Sequence, residues 1–208
     1  MTKTVGVVGL GIMGGAMSAS LLKDGFEVFG FDLDPDKNAE LTKAGGTVLG
    51  SPKEVAGKAS RVILSLPNVA ALDAVCTGPD GLISSGRTDL IAIETGTFLI
   101  SDKERNFKAL ADAGMSLLDC PLSGTGAQAR NKDLSIFVSG DKEAADKCQD
   151  IFDGFGRSTF YVGEFGNGSK MKYVANLLVA IHNVSTAEAF LLGMKSGLDA
   201  QMIYDVIQ

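Results

Sequence analysis

Apolar residues along this chain come in short β-branched runs, and the stretches between them have helical spacing. Val5-Gly6-Val7-Val8 is the first run and reads as a buried parallel strand; Met13, Met17 and Leu21 then share one face of a helix over residues 13–23. A second strand over 27–32 and a helix over 37–44 complete a β-α-β unit. Further strands are predicted at 47–49, 61–66, 90–94, 116–120, 135–138 and 159–162, with a helix at 141–152 between the last two. Ser51-Pro52-Lys53-Glu54 and Ser101-Asp102-Lys103-Glu104 have capping-box spacing and mark two more helix starts, the first with proline at the opening position. This alternation describes an α/β chain built on a Rossmann-type, doubly wound, mostly parallel sheet.

The pattern changes after Gly163. Residues 167–195 hold no proline and read as one helix far longer than the others. Val174, Leu177, Leu178, Val179, Ile181, Val184 and Phe190 make its middle apolar nearly all round, so it is expected to be buried on several sides. His182, Asn183, Ser185, Thr186 and Glu188 interrupt the run before the ~20 apolar residues a bilayer requires, so no membrane span is expected. Residues 198–208 begin another helix. The predicted division is residues 1–163 as a dinucleotide-binding domain, and 164–208 as a long interdomain helix with the beginning of a truncated all-α C-terminal domain.

The dinucleotide reading rests on Gly9-Leu10-Gly11-Ile12-Met13-Gly14 and on Asp32, which closes the second strand. Glycine makes up 26 of the 208 residues, so a lone G-x-G-x-x-G says little. Placed after a strand, opening a helix and followed by an acidic residue, it becomes specific. Gly9 allows the tight turn, Gly11 the approach of a pyrophosphate, and Gly14 close packing of helix on strand, with helix N–H groups facing the phosphates. Asp32 is placed to accept hydrogen bonds from ribose hydroxyls and to repel a 2′-phosphate, and the next residue is Leu33, so NAD is expected over NADP.

Charge and composition narrow the partners. The net charge of −6 and the lack of a basic stripe argue against nucleic acid. No basic n-region and apolar h-region precede the first strand, which predicts a cytoplasmic protein. Cys76, Cys120 and Cys148 are odd in number and widely spaced, predicting buried reduced thiols and no metal site. The single histidine, His182, reads as a packed core residue, and the methionines as core filling.

Four ordered segments resemble the β-hydroxyacid dehydrogenase family, which includes 3-hydroxyisobutyrate dehydrogenase, tartronate semialdehyde reductase and, more distantly, 6-phosphogluconate dehydrogenase. The glycine loop, extended through Gly15-Ala16-Met17, is similar to the family's G-L-G-x-M-G-x-x-M. Asp119-Cys120-Pro121-Leu122-Ser123-Gly124-Thr125-Gly126-Ala127-Gln128-Ala129 resembles its substrate segment, D-x-P-V-S-G-G-x-x-x-A. Gly166-Asn167-Gly168 with Lys172 and Asn176 resembles its catalytic segment, G-x-G-x-x-x-K-x-x-N-N. Glu94-Thr95-Gly96-Thr97 resembles its D-x-S-T, with Glu94 and Gly96 as departures. Family members carry an all-helical domain after the long helix, so the likeness covers their first two-thirds.

The resemblance implies Lys172 and Asn176 as catalytic residues and Ser123, Gly124 and Thr125 as substrate contacts. On the cofactor side it implies the loop Gly9 to Gly14, Asp32, Leu66-Pro67-Asn68 and Thr97. Thr125 and Lys132 stand where the family has glycine; Thr125 is expected to narrow the pocket and Lys132 to add a charge. The chemistry is consistent in its own right. Alcohol oxidation by a nicotinamide needs a base for the hydroxyl proton, and a lysine whose pKa is lowered by burial or by a neighbour such as Lys170 can serve, with the amide of Asn176 one helical turn away holding the same oxygen. The expected function is hydride transfer between NAD and a small β-hydroxyacid or its semialdehyde, by a homo-oligomer that shields the long helix. The alternatives are a non-catalytic dinucleotide-binding scaffold and an imine-reducing relative, and the presence of Lys172 disfavours both.

Overall fold

The computed structural model describes residues 3–208; the first two residues of the predicted first domain lie outside that range. Two compact units are present, Met1–Lys172 and Tyr173–Gln208. The first holds β1 (Lys3–Val8), α1 (Ile12–Lys23), β2 (Phe26–Phe31), α2 (Pro35–Lys43), β3 (Thr47–Val48), α3 (Pro52–Lys58), β4 (Arg61–Leu64), α4 (Val69–Thr77), β5 (Ile91–Glu94), α5 (Ile100–Asp112) and β6 (Ser116–Asp119). There follow β7 (Leu122–Ser123), α6 (Gly126–Arg130), β8 (Ser135–Val138), α7 (Lys142–Asp146), α8 (Gln149–Phe155) and β9 (Ser158–Tyr161). Helix α9 (Asn167–Lys195) starts in the first unit, and α10 (Ala200–Ile207) lies wholly in the second.

Six strands form one parallel sheet in the order β3-β2-β1-β4-β5-β6. Successive side chains point to opposite faces, which explains why these strands read as continuous apolar runs. Val5, Val7, Ile63, Ile91, Ile93 and Leu118 feed one core with Met17, Leu21 and Phe152; Val8, Val62, Leu64, Ala92 and Leu117 feed the other with Val55, Leu72 and Leu110. Helices therefore cover both faces. The order reverses between β1 and β4, so the switch point where such sheets bind ligands lies beyond the ends of these two strands.

Several local expectations are corrected. The strands after β6 do not extend the main sheet; β7 pairs antiparallel with β8, β8 pairs parallel with β9, and an isolated bridge joins Asp119 to Ser139. Pro121 follows β6 and cannot donate to a ladder. The helix expected over 141–152 is two helices, broken where Cys148 is drawn fully into the core. Ser51 caps α3 by accepting from the Glu54 N–H, but the Glu54 carboxylate accepts from the Gly50 N–H, one residue short of a closed capping box. α5 starts at Ile100 with no side-chain cap, because Ser101 and Asp102 already lie in its first turn. The complete capping box belongs to α6, between Thr125 and Gln128.

Within the second unit, α10 is capped by Asp199, which accepts from the N–H groups of Gln201 and Met202. α9 runs unbroken, as its sequence suggests, but only Gly168 and Ser169 are buried; Leu177, Val184 and Leu192 are 61%, 60% and 70% exposed. His182 is likewise exposed, not packed in a core. By length and composition alone α9 is apolar enough to cross a membrane in spite of its polar interruptions.

Candidate functional site

A cleft of about 680 Å³ opens at the switch point, with Gly9, Gly11, Ile12, Met13, Asp32, Leu66 and Pro67 among the residues along its wall. The three loop glycines are needed for different reasons. Gly9 has φ +88°, and a Cβ there would sit 2.2 Å from the Ser65 carbonyl oxygen; one on Gly14 would sit 1.8 Å from the Gly9 carbonyl oxygen. A Cβ on Gly11 would meet nothing within 4 Å. That open space lies where α1 begins, and α1 has no side-chain cap, so its first N–H groups remain for an anion. The Asp32 carboxylate accepts from Leu10 N–H at 2.6 Å and from Asp34 N–H at 2.8 Å, which aims it at the mouth of the loop. These features fit a dinucleotide: a cradle for the pyrophosphate and an oriented acceptor for the ribose.

Other predicted cofactor residues have different surroundings. The Leu10 side chain is 2% exposed and belongs to the core, so only its backbone is at the loop. Asn68 caps α4, its Oδ1 accepting from Ala71 N–H at 2.9 Å. Thr97 is exposed on the loop that follows β5 and does not line the cleft.

In the predicted substrate segment, Ser123 ends β7 and is half-buried, and Gly124 has φ +144°. Thr125 has a structural task that the sequence reading missed. Its hydroxyl accepts from Gln128 N–H and its N–H donates to Gln128 Oε1, so it starts α6. Lys132 is the one described non-glycine residue with positive φ, +55°, and its ammonium pairs with Asp24 at 2.7 Å. Glycine suits that backbone, and the Lys132 charge is already partnered. Lys132→Gly should therefore leave substrate KM unchanged and alter stability by less than about 1 kcal/mol, because relief of αL strain and loss of a half-exposed ion pair nearly cancel. A KM change above threefold would return Lys132 to the substrate site.

The start of α9 is set against this segment. A Cβ on Gly168 would lie 2.6 Å from the Asp119 carbonyl oxygen and 3.0 Å from Pro121 Cδ, so only glycine lets the helix approach so closely. The Gly168 N–H donates to Ser139 Oγ, and buried Ser169 donates through its N–H and its hydroxyl to the Asp119 carboxylate, both at 2.8 Å. Lys172 follows one turn after Gly168 on the same helix face, as i,i+4 spacing dictates. It is half-buried, and burial lowers its pKa from the usual 10.5. Lys170 has no part in that shift; its ammonium bonds Asn167 Oδ1 at 3.0 Å. Asn176, one turn beyond Lys172, is exposed.

Beneath these loops lies a cluster with no counterpart in the sequence reading. Lys103 Nζ is fully buried, 2.7 Å from Asp119 Oδ1, 2.7 Å from the Gly96 carbonyl oxygen, and ion-paired with Glu94 Oε2 at 2.5 Å. Burial alone would lower the Lys103 pKa, but Glu94 and Asp119 raise it above its ordinary value; burial also raises that of Glu94, and Lys103 only partly offsets the shift. The available signal was two acids, Glu94 and Asp119, each closing a buried apolar strand and so in need of a cation. The three cysteines are buried and free, with the Cys76 and Cys148 thiols pushed up to about 12 by burial, and no metal-binding cluster occurs among the described residues.

Residues 4–163 match the family model described as the NAD binding domain of 6-phosphogluconate dehydrogenase, and 166–208 match that for NAD-binding of NADP-dependent 3-hydroxyisobutyrate dehydrogenase. L-threonate dehydrogenase of Cupriavidus necator is 32% identical over 208 residues, which is 100% of this chain and 70% of that protein. The chain belongs to the β-hydroxyacid dehydrogenase family. Another relative in that family, mitochondrial 3-hydroxyisobutyrate dehydrogenase of Mus musculus, is 33% identical over 98% of this chain and 61% of its own length. The solved structure of Mycobacterium tuberculosis 3-hydroxyisobutyrate dehydrogenase with L-serine superposes with a TM-score of 0.90 at 30% identity, over 100% of this chain and 70% of that one. The chain thus spans between three-fifths and seven-tenths of these relatives. As in other β-hydroxyacid dehydrogenases, residues 4–163 form a nicotinamide-dinucleotide-binding domain, and both NAD and NADP are used within the family.

Proposed function

We propose that the protein transfers a hydride between NAD and a small hydroxy-carboxylate, with Lys172 carrying the proton to and from the substrate oxygen. The observation that carries this reading is the placement of Lys172: half-buried, its pKa lowered, on a helix whose first turn is seated on Asp119 and Pro121, where the substrate segment begins. When bound, the nicotinamide supplies the hydride acceptor or donor. The chain's part is to hold the dinucleotide on α1, to offer the Ser123 hydroxyl and the backbone at Gly124 to the carboxylate, and to take the hydroxyl proton on Lys172 Nζ with Asn176 steadying the oxygen. The relatives named for L-threonate, 3-hydroxyisobutyrate, 2-(hydroxymethyl)glutarate and L-serine support a substrate bearing both a hydroxyl and a carboxylate. Absorbance assays of NADH formation across a panel of such acids test the reading, and no turnover with any of them would refute it.

NADH should bind more tightly than NADPH, because the Asp32 carboxylate is fixed at the ribose end and Leu33, 90% exposed, offers no cation to a 2′-phosphate. Fluorescence titration with the two reduced cofactors measures this. Asp32→Ala should narrow the difference, and tighter NADPH binding by the unaltered protein would refute the assignment.

A further inference from the structure

Lys103, Glu94 and Asp119 form a buried triad of one cation and two anions that the proposed chemistry does not use directly. Such groups are costly to bury, and a buried ion pair often adds little net stability over apolar packing, so its location is the informative feature. Each anion holds a different part of the site. Glu94 Oε1 accepts from the Gly96 N–H at 2.6 Å, while Lys103 takes the Gly96 carbonyl at 2.7 Å, which fixes both ends of that residue in the loop leading to Thr97. Asp119 accepts both bonds from Ser169, in the first turn of α9. One ammonium therefore touches the anchors of the predicted cofactor-side loop and of the helix that bears Lys172.

We infer that Lys103 is a positioning residue, a latch that keeps the loop at Gly96 and Thr97 in register with the start of α9, and so holds Lys172 in place on the parallel sheet. This rests on the function proposed above. In energetic terms the triad fixes geometry: a displacement of about 1 Å between reacting groups can cost on the order of 100-fold in rate without weakening cofactor binding.

The test is Glu94→Gln, which alters the loop end of the latch and leaves α9 untouched. Amide hydrogen exchange is read together with steady-state kinetics and NADH binding. Exchange at Gly168 and Ser169 should rise about tenfold or more while β1 amides stay protected, and kcat should fall about tenfold with the NADH Kd unchanged. Unchanged exchange at Gly168 and Ser169 would overturn the inference, whatever happens to kcat. Should that variant fail to fold, Ser169→Ala poses the same question from the helix end, and there an unchanged Gly96 amide overturns it. If exchange is coupled but the unaltered protein turns over no hydroxyacid, the latch stands and the proposed function falls.

Discussion

Lys172→Met should lower kcat by about 10²–10⁴-fold while leaving NADH affinity within about twofold of the unaltered protein. Methionine keeps the length and the apolar stem of the side chain, so the helix and the contacts at Gly168 and Ser169 are retained and only the proton carrier is removed. On the proposed reading the dinucleotide is held elsewhere, at the cleft lined by the glycine loop and Asp32. The pH dependence has a definite sign. In the proposed role, oxidation of the alcohol needs Lys172 unprotonated, so kcat/KM for oxidation should rise with pH through a midpoint below 10.5, because burial lowers the pKa of this lysine. Reduction needs the protonated form and should fall through the same region. Stopped-flow or steady-state rates across pH, with and without the substitution, decide the matter. A variant retaining a tenth of the unaltered kcat, or the same pH midpoint, would remove Lys172 from the role.

The sheet was legible because its signals are local. Each buried parallel strand is a short apolar run, each crossover helix has its own spacing, and the glycine loop with Asp32 marks the end of the first strand; the order of the six strands depends on long-range pairing and was not read from the sequence. What was not legible depends on groups distant in sequence. Lys103, in the first turn of α5, looks like any solvated helix lysine until Glu94 and Asp119 close on it from two strands. Thr125 and Lys132 read as changes to a substrate pocket, yet one is a helix cap and the other is paired with Asp24, 108 positions away. The break at Cys148 likewise depends on the core that receives the thiol. For α9 length and apolarity were legible, but burial depends on what lies against the helix, and among the described residues its middle is exposed.

Gly14→Ala and Gly11→Ala should separate folding from cofactor binding, although the two glycines look equivalent in the motif. At Gly14 the new methyl would lie 1.8 Å from the Gly9 carbonyl oxygen, and that oxygen is backbone, held in a turn whose own residue has φ +88°. It cannot swing aside as a side chain would. Overpacking of this kind costs about 1–3 kcal/mol and sometimes more, and the helix-propensity gain of Ala over Gly, about 1 kcal/mol, offsets only part of a clash this close. A net loss of roughly 1–2 kcal/mol lowers Tm by about 2–8 °C in a domain of this size. At Gly11 φ is −61° and ψ −160°, just past the edge of the extended region open to alanine, and the space is empty; the small strain is offset by the entropy alanine removes from the unfolded chain, so Tm should stay within about 2 °C. That same open space is where the proposed site brings the pyrophosphate to backbone N–H groups. Gly11→Ala should therefore weaken NADH by about 10- to 100-fold, or ~1.4–2.8 kcal/mol, in a fully folded protein. Thermal melts alongside NADH titration of both variants provide the check. If Gly11→Ala binds NADH normally, the pyrophosphate does not lie against this loop.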